Sequence, residues 1–204
     1  MKKILVTGFG PFGGETVNPA FEAVRLLPDT IAGLQLVKLE LPTVFGAAGE
    51  RLLAKIEAVQ PAAILCVGQA GGRAAITPEK VAINYMDGRI PDNAGRQPQD
   101  EPIRPDGLDA YFTTLPVRRM AERIRAAGIP AAVSYTAGTY VCNYLMYTLL
   151  DWAAENCPEL RGGFIHVPYA MEQLEGKPAG TPGMELQQIA RGLACAIEAI
   201  AEEL

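Results

Sequence analysis

One cysteine offers the clearest chemistry in this chain. Cys142 lies in the segment AGTYVCN (residues 137–143), between a predicted strand and a predicted apolar helix with Thr139 as its expected N-cap. In the first turn of a helix, backbone N–H groups and the helix dipole lower a thiol pKa and can stabilise an oxyanion. Free cysteines are, however, usually inert core residues. The position of Cys142 therefore leaves two interpretations open, a nucleophile and a packing residue.

The chain contains a single histidine, His166, in the segment GFIHVPY. It lies one residue before the end of a predicted apolar strand, where a side chain can reach the edge of a sheet. A cysteine nucleophile needs a base, and His166 is the only imidazole available. One histidine also excludes sites that need two, including the HExxH zinc peptidases.

The other cysteines do not indicate a metal site or a disulfide framework, because they are spread along the chain without a CxxC pair. They are Cys66, Cys157 and Cys195. We expect Cys66 and Cys195 to be core residues and the chain to work in a reducing cytoplasm.

A third group normally orients a catalytic imidazole. Candidates occur in the segment 69–107, which is rich in Gly, Pro, Asp and Asn and is unusually long for a connection in a compact domain. Spacing does not choose among them: Glu79, Asp87, Asp92, Asn93, Asp100 and Asp106.

A glycine-rich segment near the N-terminus offers a different function. The sequence GFGPFG (residues 8–13) matches GxGxxG, the fingerprint of dinucleotide-binding oxidoreductases. However, the next helix is predicted to start after the cap Asn18, several residues too late, and Glu40 comes later than the usual ribose ligand. Phe9 and Phe12 could instead line a pocket for a flat, uncharged group. A non-catalytic binding module built on the same elements is a further alternative.

The elements that must position these residues alternate between strands and helices. We predict strands at 3–8, 34–41, 62–68, 131–135 and 163–167, and helices at 19–27, 44–59, 116–127, 141–156 and 183–202. This order predicts a single α/β domain, 1–204, that forms a three-layer α/β/α sandwich around a mostly parallel twisted sheet, with a long functional excursion after the third strand. Ligands bind at the carboxyl ends of such strands. The segments 8–14, 69–106 and 137–142 and His166 should therefore share one edge.

Composition narrows the classes of partner. The 204 residues are 49% hydrophobic and 20% charged, with a formal net charge of −5. An acidic chain without a basic cluster binds nucleic acid poorly, because it cannot neutralise the phosphates. No apolar run approaches the roughly 20 residues of a membrane span, and the first residues lack the h-region of a signal peptide. We therefore expect neither nucleic acid nor membrane as a partner.

Four segments, in order, resemble the type I pyroglutamyl peptidases, also called pyrrolidone-carboxylate peptidases, over nearly the whole chain. They are MKKILVTGFGPFGGETVNP, VGQAGGRAAITPEKVAINYMDGRIPDNAGRQP, AGTYVCN and GFIHVPY. The resemblance implies a cysteine exopeptidase that removes an N-terminal pyroglutamyl (5-oxoproline) residue from peptides through a thioacyl-enzyme. It also implies a cytoplasmic homotetramer that needs no metal and no cofactor.

The resemblance assigns roles to individual residues. Cys142 would be the nucleophile, His166 the general base and acid, and Glu79 the orienting carboxylate, with Lys80 where that family commonly has arginine. The positions that correspond to the family's substrate pocket are Phe9, Phe12, Asn18, Gln69, Arg89, Tyr140 and Val141, with Arg89 near the oxyanion. A flat neutral lactam needs aromatic walls and hydrogen-bonding groups, which phenylalanines and the Gln69 amide supply.

Overall fold

The computed structural model describes residues 1–204. Five α-helices are formed: α1 (Pro19–Leu26), α2 (Ala47–Val59), α3 (Val117–Ala126), α4 (Val141–Asn156) and α5 (Leu186–Ala201). The strands are β1 (Lys3–Phe9), β2 (Thr30–Ile31), β3 (Leu34–Leu41), β4 (Ala63–Gln69), β5 (Thr77–Pro78), β6 (Val81–Ile83), β7 (Ala110–Phe112), β8 (Arg161–Val167), β9 (Tyr169–Ala170) and β10 (Gly183–Met184). A 3₁₀ helix, Met171–Leu174, follows β9.

The main sheet has six strands in the order β2-β3-β1-β4-β8-β5. The four central strands are parallel, and the short edge strands β2 and β5 are antiparallel to their neighbours. Each central parallel strand has nearly every residue buried except those of β3, as expected for a sheet covered on both faces.

Alternating side chains of the central strands divide the core in two. Ile4 and Val6 pack with α1, α3 and α5, whereas Leu5 packs on the opposite face with α2 and α4. Helices therefore cover both faces of a mostly parallel sheet, and the predicted three-layer α/β/α sandwich is confirmed. No helix is both long enough and apolar enough to cross a membrane.

The start of α1 follows the sequence prediction. Asn18 is the N-cap, its side chain accepts a hydrogen bond from the Ala20 N–H (3.0 Å), and Pro19 is the first helical residue. Nine residues, 10–18, thus separate the end of β1 at Phe9 from the start of the helix. The glycine segment does not lead directly into a helix N-terminus, contrary to the dinucleotide fingerprint.

The predicted strand at 131–135 is wrong. Residues there form only isolated bridges, Ile76 with Ala131 and Glu79 with Ser134. The place beside β8 is taken by β5, which comes from the excursion and runs antiparallel. The last helix also begins later than predicted, because Gly183–Met184 pairs with β9 as a strand.

The excursion is ordered by its own hydrogen bonds. Strands β6 and β7 pair in an antiparallel ladder. The Asp92 carboxylate, which is buried, accepts hydrogen bonds from the N–H groups of Phe45, Ala94 and Arg96 (2.8–2.9 Å). These bonds satisfy Asp92 structurally and leave it no part in orienting a histidine.

Candidate active site

A cavity of about 220 Å³ opens at the carboxyl ends of the parallel strands. Side chains from all four predicted segments line it: Phe9, Phe12, Gln69, Arg73, Tyr140, Cys142 and His166. The expectation that these segments share one edge is confirmed. The volume is below the roughly 300–1,000 Å³ of pockets for drug-sized ligands, so the cavity suits one small ring rather than a dinucleotide.

His166 reaches the cavity because of its position in β8. Phe164 belongs to the core beneath α4, and His166, two residues later, faces the same side. The imidazole is 4% exposed and packs against the Phe164 ring in a tilted arrangement, with 4.8 Å between the ring centroids. Strand alternation thus places the only histidine against α4, whose first turn contains Cys142.

Glu79 holds the inner nitrogen of this histidine. The Glu79 carboxylate is fully buried, and its Oε1 accepts a hydrogen bond from His166 Nδ1 at 2.7 Å. The backbone N–H of Glu79 donates to the Phe164 carbonyl (2.9 Å), which fixes the carboxylate beside β8. The bond leaves Nε2 as the imidazole atom that is free to exchange a proton.

A second donor, the Arg73 guanidinium, shares the same carboxylate oxygen. Arg73 Nη1 donates to Glu79 Oε1 (2.6 Å) and to the Thr77 hydroxyl (2.6 Å), and Nη2 donates to the Thr136 carbonyl (3.1 Å). Glu79 Oε2 has no hydrogen-bond partner. The sequence analysis did not identify Arg73. The signal that could have found it is its position directly after Gly71 and Gly72, in the loop that follows the carboxyl end of β4.

The charges of this group influence one another. Burial alone would raise the pKa of Glu79, but the hydrogen bond and charge of His166, with the hydrogen bond from Arg73, bring it below its usual range. Burial lowers the pKa of His166, and Glu79 opposes this while Arg73 adds to it. The imidazole is therefore neutral near pH 7 and able to accept a proton.

Cys142 is the second residue of α4, in its first turn as predicted. The N-cap is Tyr140 rather than Thr139, whose hydroxyl donates to the Asp87 carbonyl (2.8 Å). No side chain caps the helix, so its first N–H groups remain available to an oxyanion.

The thiol is not stored as a thiolate. Burial, with the nearby Glu79 carboxylate, raises the pKa of Cys142 to about 12, although Arg73 acts in the opposite direction. Desolvation has the largest influence, so the pKa is raised and not lowered as expected at a helix N-terminus. Attack by Cys142 must therefore be coupled to removal of its proton by a base.

A glycine in β4 makes room for the thiol. Gly68 pairs with His166 across the sheet, and a Cβ there would lie 2.9 Å from Cys142 Sγ and 2.7 Å from the Phe164 ring. Any side chain at this position would enter the space that the Cys142 thiol and the Phe164 ring occupy.

The residue after Cys142 fastens the excursion to α4. Asn143 is fully buried; its Oδ1 accepts from the Ile83 N–H (3.0 Å), and its Nδ2 donates to the carbonyls of Ile83 (2.9 Å) and Tyr85 (3.0 Å). These bonds use the amide oxygen and both amide hydrogens, and they hold the excursion beside the nucleophile.

The remaining predicted residues fall into three groups. Phe9, Phe12 and Tyr140 supply aromatic surface to the cavity, and the rings of Phe12 and Tyr140 are 6.3 Å apart. Asn18 borders the cavity as a structural cap that also donates to the Gly10 carbonyl (2.9 Å). Val141 is fully buried and does not line the cavity.

Arg89 and Lys80 lie outside the cavity. Arg89 is exposed and lines a neighbouring groove together with Phe12, Gln69 and Tyr140. The Lys80 ammonium lies 5.3 Å from the centre of the Phe112 ring, in a different groove of the surface.

Burial raises the pKa of the fully buried Cys66 to about 12, which agrees with the core role expected for it. No cluster of three or more His, Cys, Asp or Glu side chains could hold a metal ion.

Comparison with known sequences gives one family over the whole length. The family model described as pyroglutamyl peptidase matches residues 2–203. The pyrrolidone-carboxylate peptidase 1 of Streptococcus pneumoniae serotype 4 is 56% identical over 200 residues, covering 98% of this chain and 93% of that protein. A pyrrolidone-carboxylate peptidase of Streptococcus pyogenes serotype M1 is 54% identical with the same coverage.

Solved structures agree. The crystal structure of pyroglutamyl peptidase I from Bacillus amyloliquefaciens superposes with a TM-score of 0.94 at 48% identity, covering 99% of this chain and 98% of that one. A mutant pyrrolidone carboxyl peptidase from the hyperthermophile Pyrococcus furiosus gives a TM-score of 0.93 at 43% identity, covering 98% and 99%. Sequence and fold together place this chain in the pyroglutamyl peptidase family of cysteine peptidases.

Proposed function

We propose that this protein removes an N-terminal pyroglutamyl residue from peptides, with Cys142 as nucleophile, His166 as general base and acid, and Glu79 as the orienting carboxylate. The observation that carries the proposal is the 2.7 Å bond between His166 and the buried Glu79, in the same cavity wall as the only cysteine at a helix N-terminus. A non-catalytic binding module has no need of such a bond.

The reaction proceeds in two steps. In the first, His166 Nε2 takes the Cys142 proton as the sulfur attacks the carbonyl that joins the pyroglutamyl ring to the next residue. The C–N bond then breaks, and the imidazolium gives that proton to the departing amine, leaving a thioester. In the second, His166 takes a proton from water, the hydroxide attacks the thioester, and the thiol is restored as free pyroglutamate leaves.

The neutral resting thiol explains why Glu79 and Arg73 are both needed. The proton must move from sulfur to His166 during attack, so an imidazolium forms only at that moment. Glu79 stabilises this cation through Nδ1, as in other triads. Arg73 keeps Glu79 ionised and its Oε1 in place, while its own positive charge keeps His166 neutral beforehand.

The cavity favours a lactam over an ordinary N-terminus. Phe9, Phe12 and Tyr140 provide walls for a flat uncharged ring. A peptide with a free ammonium would meet no available carboxylate, because Glu79 is already bonded to Arg73 and His166. An unpaired charge in such a site costs several kcal/mol, which disfavours glutaminyl and prolyl peptides.

The decisive experiment is the release of a chromogenic amine from a pyroglutamyl amide, with and without a thiol alkylator. We expect turnover that stops on alkylation, and at least about 1,000-fold less turnover of the prolyl and glutaminyl amides. A mass spectrum taken during turnover should show the acyl group on the peptide that contains Cys142. Equal rates on prolyl and pyroglutamyl amides would contradict the lactam pocket, and absence of any turnover would favour the binding module.

The assembly and the compartment are part of the same proposal. A homotetramer is supported by large apolar side chains left exposed, Leu108 (63%), Phe112 (69%) and Tyr135 (63%), which a partner subunit could cover. A reducing cytoplasm is supported by four cysteines that are all unpaired. Sedimentation equilibrium tests the first point: a monomer at micromolar concentration would contradict it.

A further inference from the structure

A glutamine outside the proposed catalytic group is bonded to the cavity wall. Gln173 lies in the 3₁₀ helix after β9 and is 7% exposed. Its Oε1 accepts a hydrogen bond from the Ala170 N–H (3.0 Å), and its Nε2 donates to the Val17 carbonyl (3.1 Å) and to Gln69 Oε1 (2.9 Å). Gln173, Ala170 and Val17 do not line the cavity, whereas Gln69 does.

The backbone fixes which way round the Gln173 amide stands. A backbone N–H can only donate and a backbone carbonyl can only accept. With Ala170 N–H on one side and the Val17 carbonyl on the other, rotating the amide by 180° would place two donors together and two acceptors together. The Gln173 Nε2 is therefore the group that meets Gln69, and it must donate.

This donor in turn fixes Gln69. The group on Gln69 that meets Gln173 must be an acceptor, which is its Oε1. The Gln69 Nε2 makes no hydrogen bond within the protein, and the only buried side-chain polar atoms without partners are Thr7 Oγ1 and Glu79 Oε2. The NH₂ of Gln69 is thus accessible, on a side chain that lines the cavity with Cys142 and His166.

We propose that Gln173 is a positioning residue for specificity, which holds Gln69 with its NH₂ free to donate to the ring carbonyl of the substrate. This inference rests on the proposed function. The ring carbonyl distinguishes pyroglutamyl from prolyl peptides, since proline has a CH₂ at that position and a charged imino nitrogen beside it. A site built to donate a hydrogen bond rejects a ligand that lacks the acceptor far more strongly than a purely apolar pocket does.

The test is a substitution that reverses the direction of the hydrogen bond between residue 173 and Gln69 without altering the size of the side chain. Gln173→Glu places a carboxylate, which only accepts, between the Ala170 N–H and Gln69. Gln69 must then turn its NH₂ towards residue 173 and present its carbonyl to the substrate ring, so two acceptors face each other. We expect kcat/KM on the pyroglutamyl amide to fall about 100-fold, mainly through KM, with no comparable loss on the prolyl amide. Gln187→Glu adds the same charge at an exposed position of α5 and should change neither rate.

A second pair of variants keeps the test independent of any folding defect in Gln173→Glu. Gln173→Met removes the donor without adding charge and should lower the ratio of pyroglutamyl to prolyl turnover about 10-fold. In a Gln69→Leu background the same change should leave the ratio unaltered, because Gln173 then has nothing to orient. A ratio unchanged in both folded single variants at residue 173, or lowered equally with and without Gln69, overturns the inference. A wild-type protein that does not cleave the pyroglutamyl amide would instead overturn the proposed function.

Discussion

Replacing Gly68 with alanine tests whether the thiol must stand where the structure places it. The backbone at Gly68 is not left-handed, so alanine is acceptable to the main chain. The new Cβ, however, would lie 2.7 Å from the Phe164 ring and 2.9 Å from Cys142 Sγ. Ordinary contacts begin at about 3.5 Å, so both neighbours must move away from the new Cβ by roughly 0.5–1 Å.

Of the two neighbours, the thiol has more room to move. Phe164 is fully buried between the Phe9 ring (6.4 Å between centroids) and the His166 ring (4.8 Å), so its displacement would disturb the core. Cys142 is only half-buried and can rotate into the cavity. A shift of about 1 Å in a reacting group costs on the order of 100-fold in rate, and overpacking costs about 1–3 kcal/mol of stability.

The assay is kcat/KM on a pyroglutamyl chromogenic amide together with the urea midpoint of unfolding. Gly162→Ala is the matched control: it lies on β8 with His166, and the three atoms nearest its new Cβ, from 3.1 Å outwards, all belong to the flexible Leu149 side chain. It should lower stability slightly and leave activity intact. Wild-type activity in Gly68→Ala, or an equal loss of activity in Gly162→Ala, would refute the reasoning.

Further variants separate the roles of the groups around Glu79. Cys142→Ser and His166→Ala should each lower turnover at least about 1,000-fold without unfolding the protein. Glu79→Gln should lower turnover only about 10–100-fold, because its amide oxygen can still accept from His166 and Arg73 and only the charge is lost. An inactive Glu79→Gln beside a half-active His166→Ala would contradict these roles. Arg73→Met should raise the pKa of His166 and move the acid limb of the kcat/KM profile to higher pH, whereas Arg73→Lys keeps the charge and the limb; an unmoved limb in Arg73→Met would contradict the proposed electrostatic role. Burial lowers the pKa of the only histidine, so the unfolded chain binds the proton more readily and the protein should lose stability as the pH falls below about 6.5. Urea midpoints of unfolding at pH 7 and 5.5 measure this loss. The midpoint of His166→Gln should depend less on pH.

The sequence predicts the fold well where one principle dominates. Apolar runs identify the buried strands β1, β4 and β8, and their alternation with helices requires a covered parallel sheet. Asn18 and Pro19 mark the start of α1 by local hydrogen bonding alone, so no distant residue is needed to recognise it. The strand predicted at 131–135 fails because β-propensity does not reveal that β5 already occupies the edge of β8.

The site is predicted less completely than the fold. Cys142 and His166 stand out because their chemistry is rare in this chain, and the resemblance adds Glu79. Arg73 and Gln173 are not found, since each acts through one neighbour that only the folded chain supplies: Glu79 for the first and Gln69 for the second. The pKa of Cys142 is likewise a property of burial, which no local motif encodes.

The alternation of side chains along the sheet has a consequence for how this enzyme could change its substrate. His166 follows Phe164 on the face covered by α2 and α4, whereas Gln69 follows Val67 on the face covered by α1, α3 and α5. Bond cleavage and recognition of the ring carbonyl thus depend on opposite layers of one sandwich. Substitutions in the layer behind Gln69 can therefore alter which N-terminal residue is accepted without changing the layer that carries Cys142 and His166.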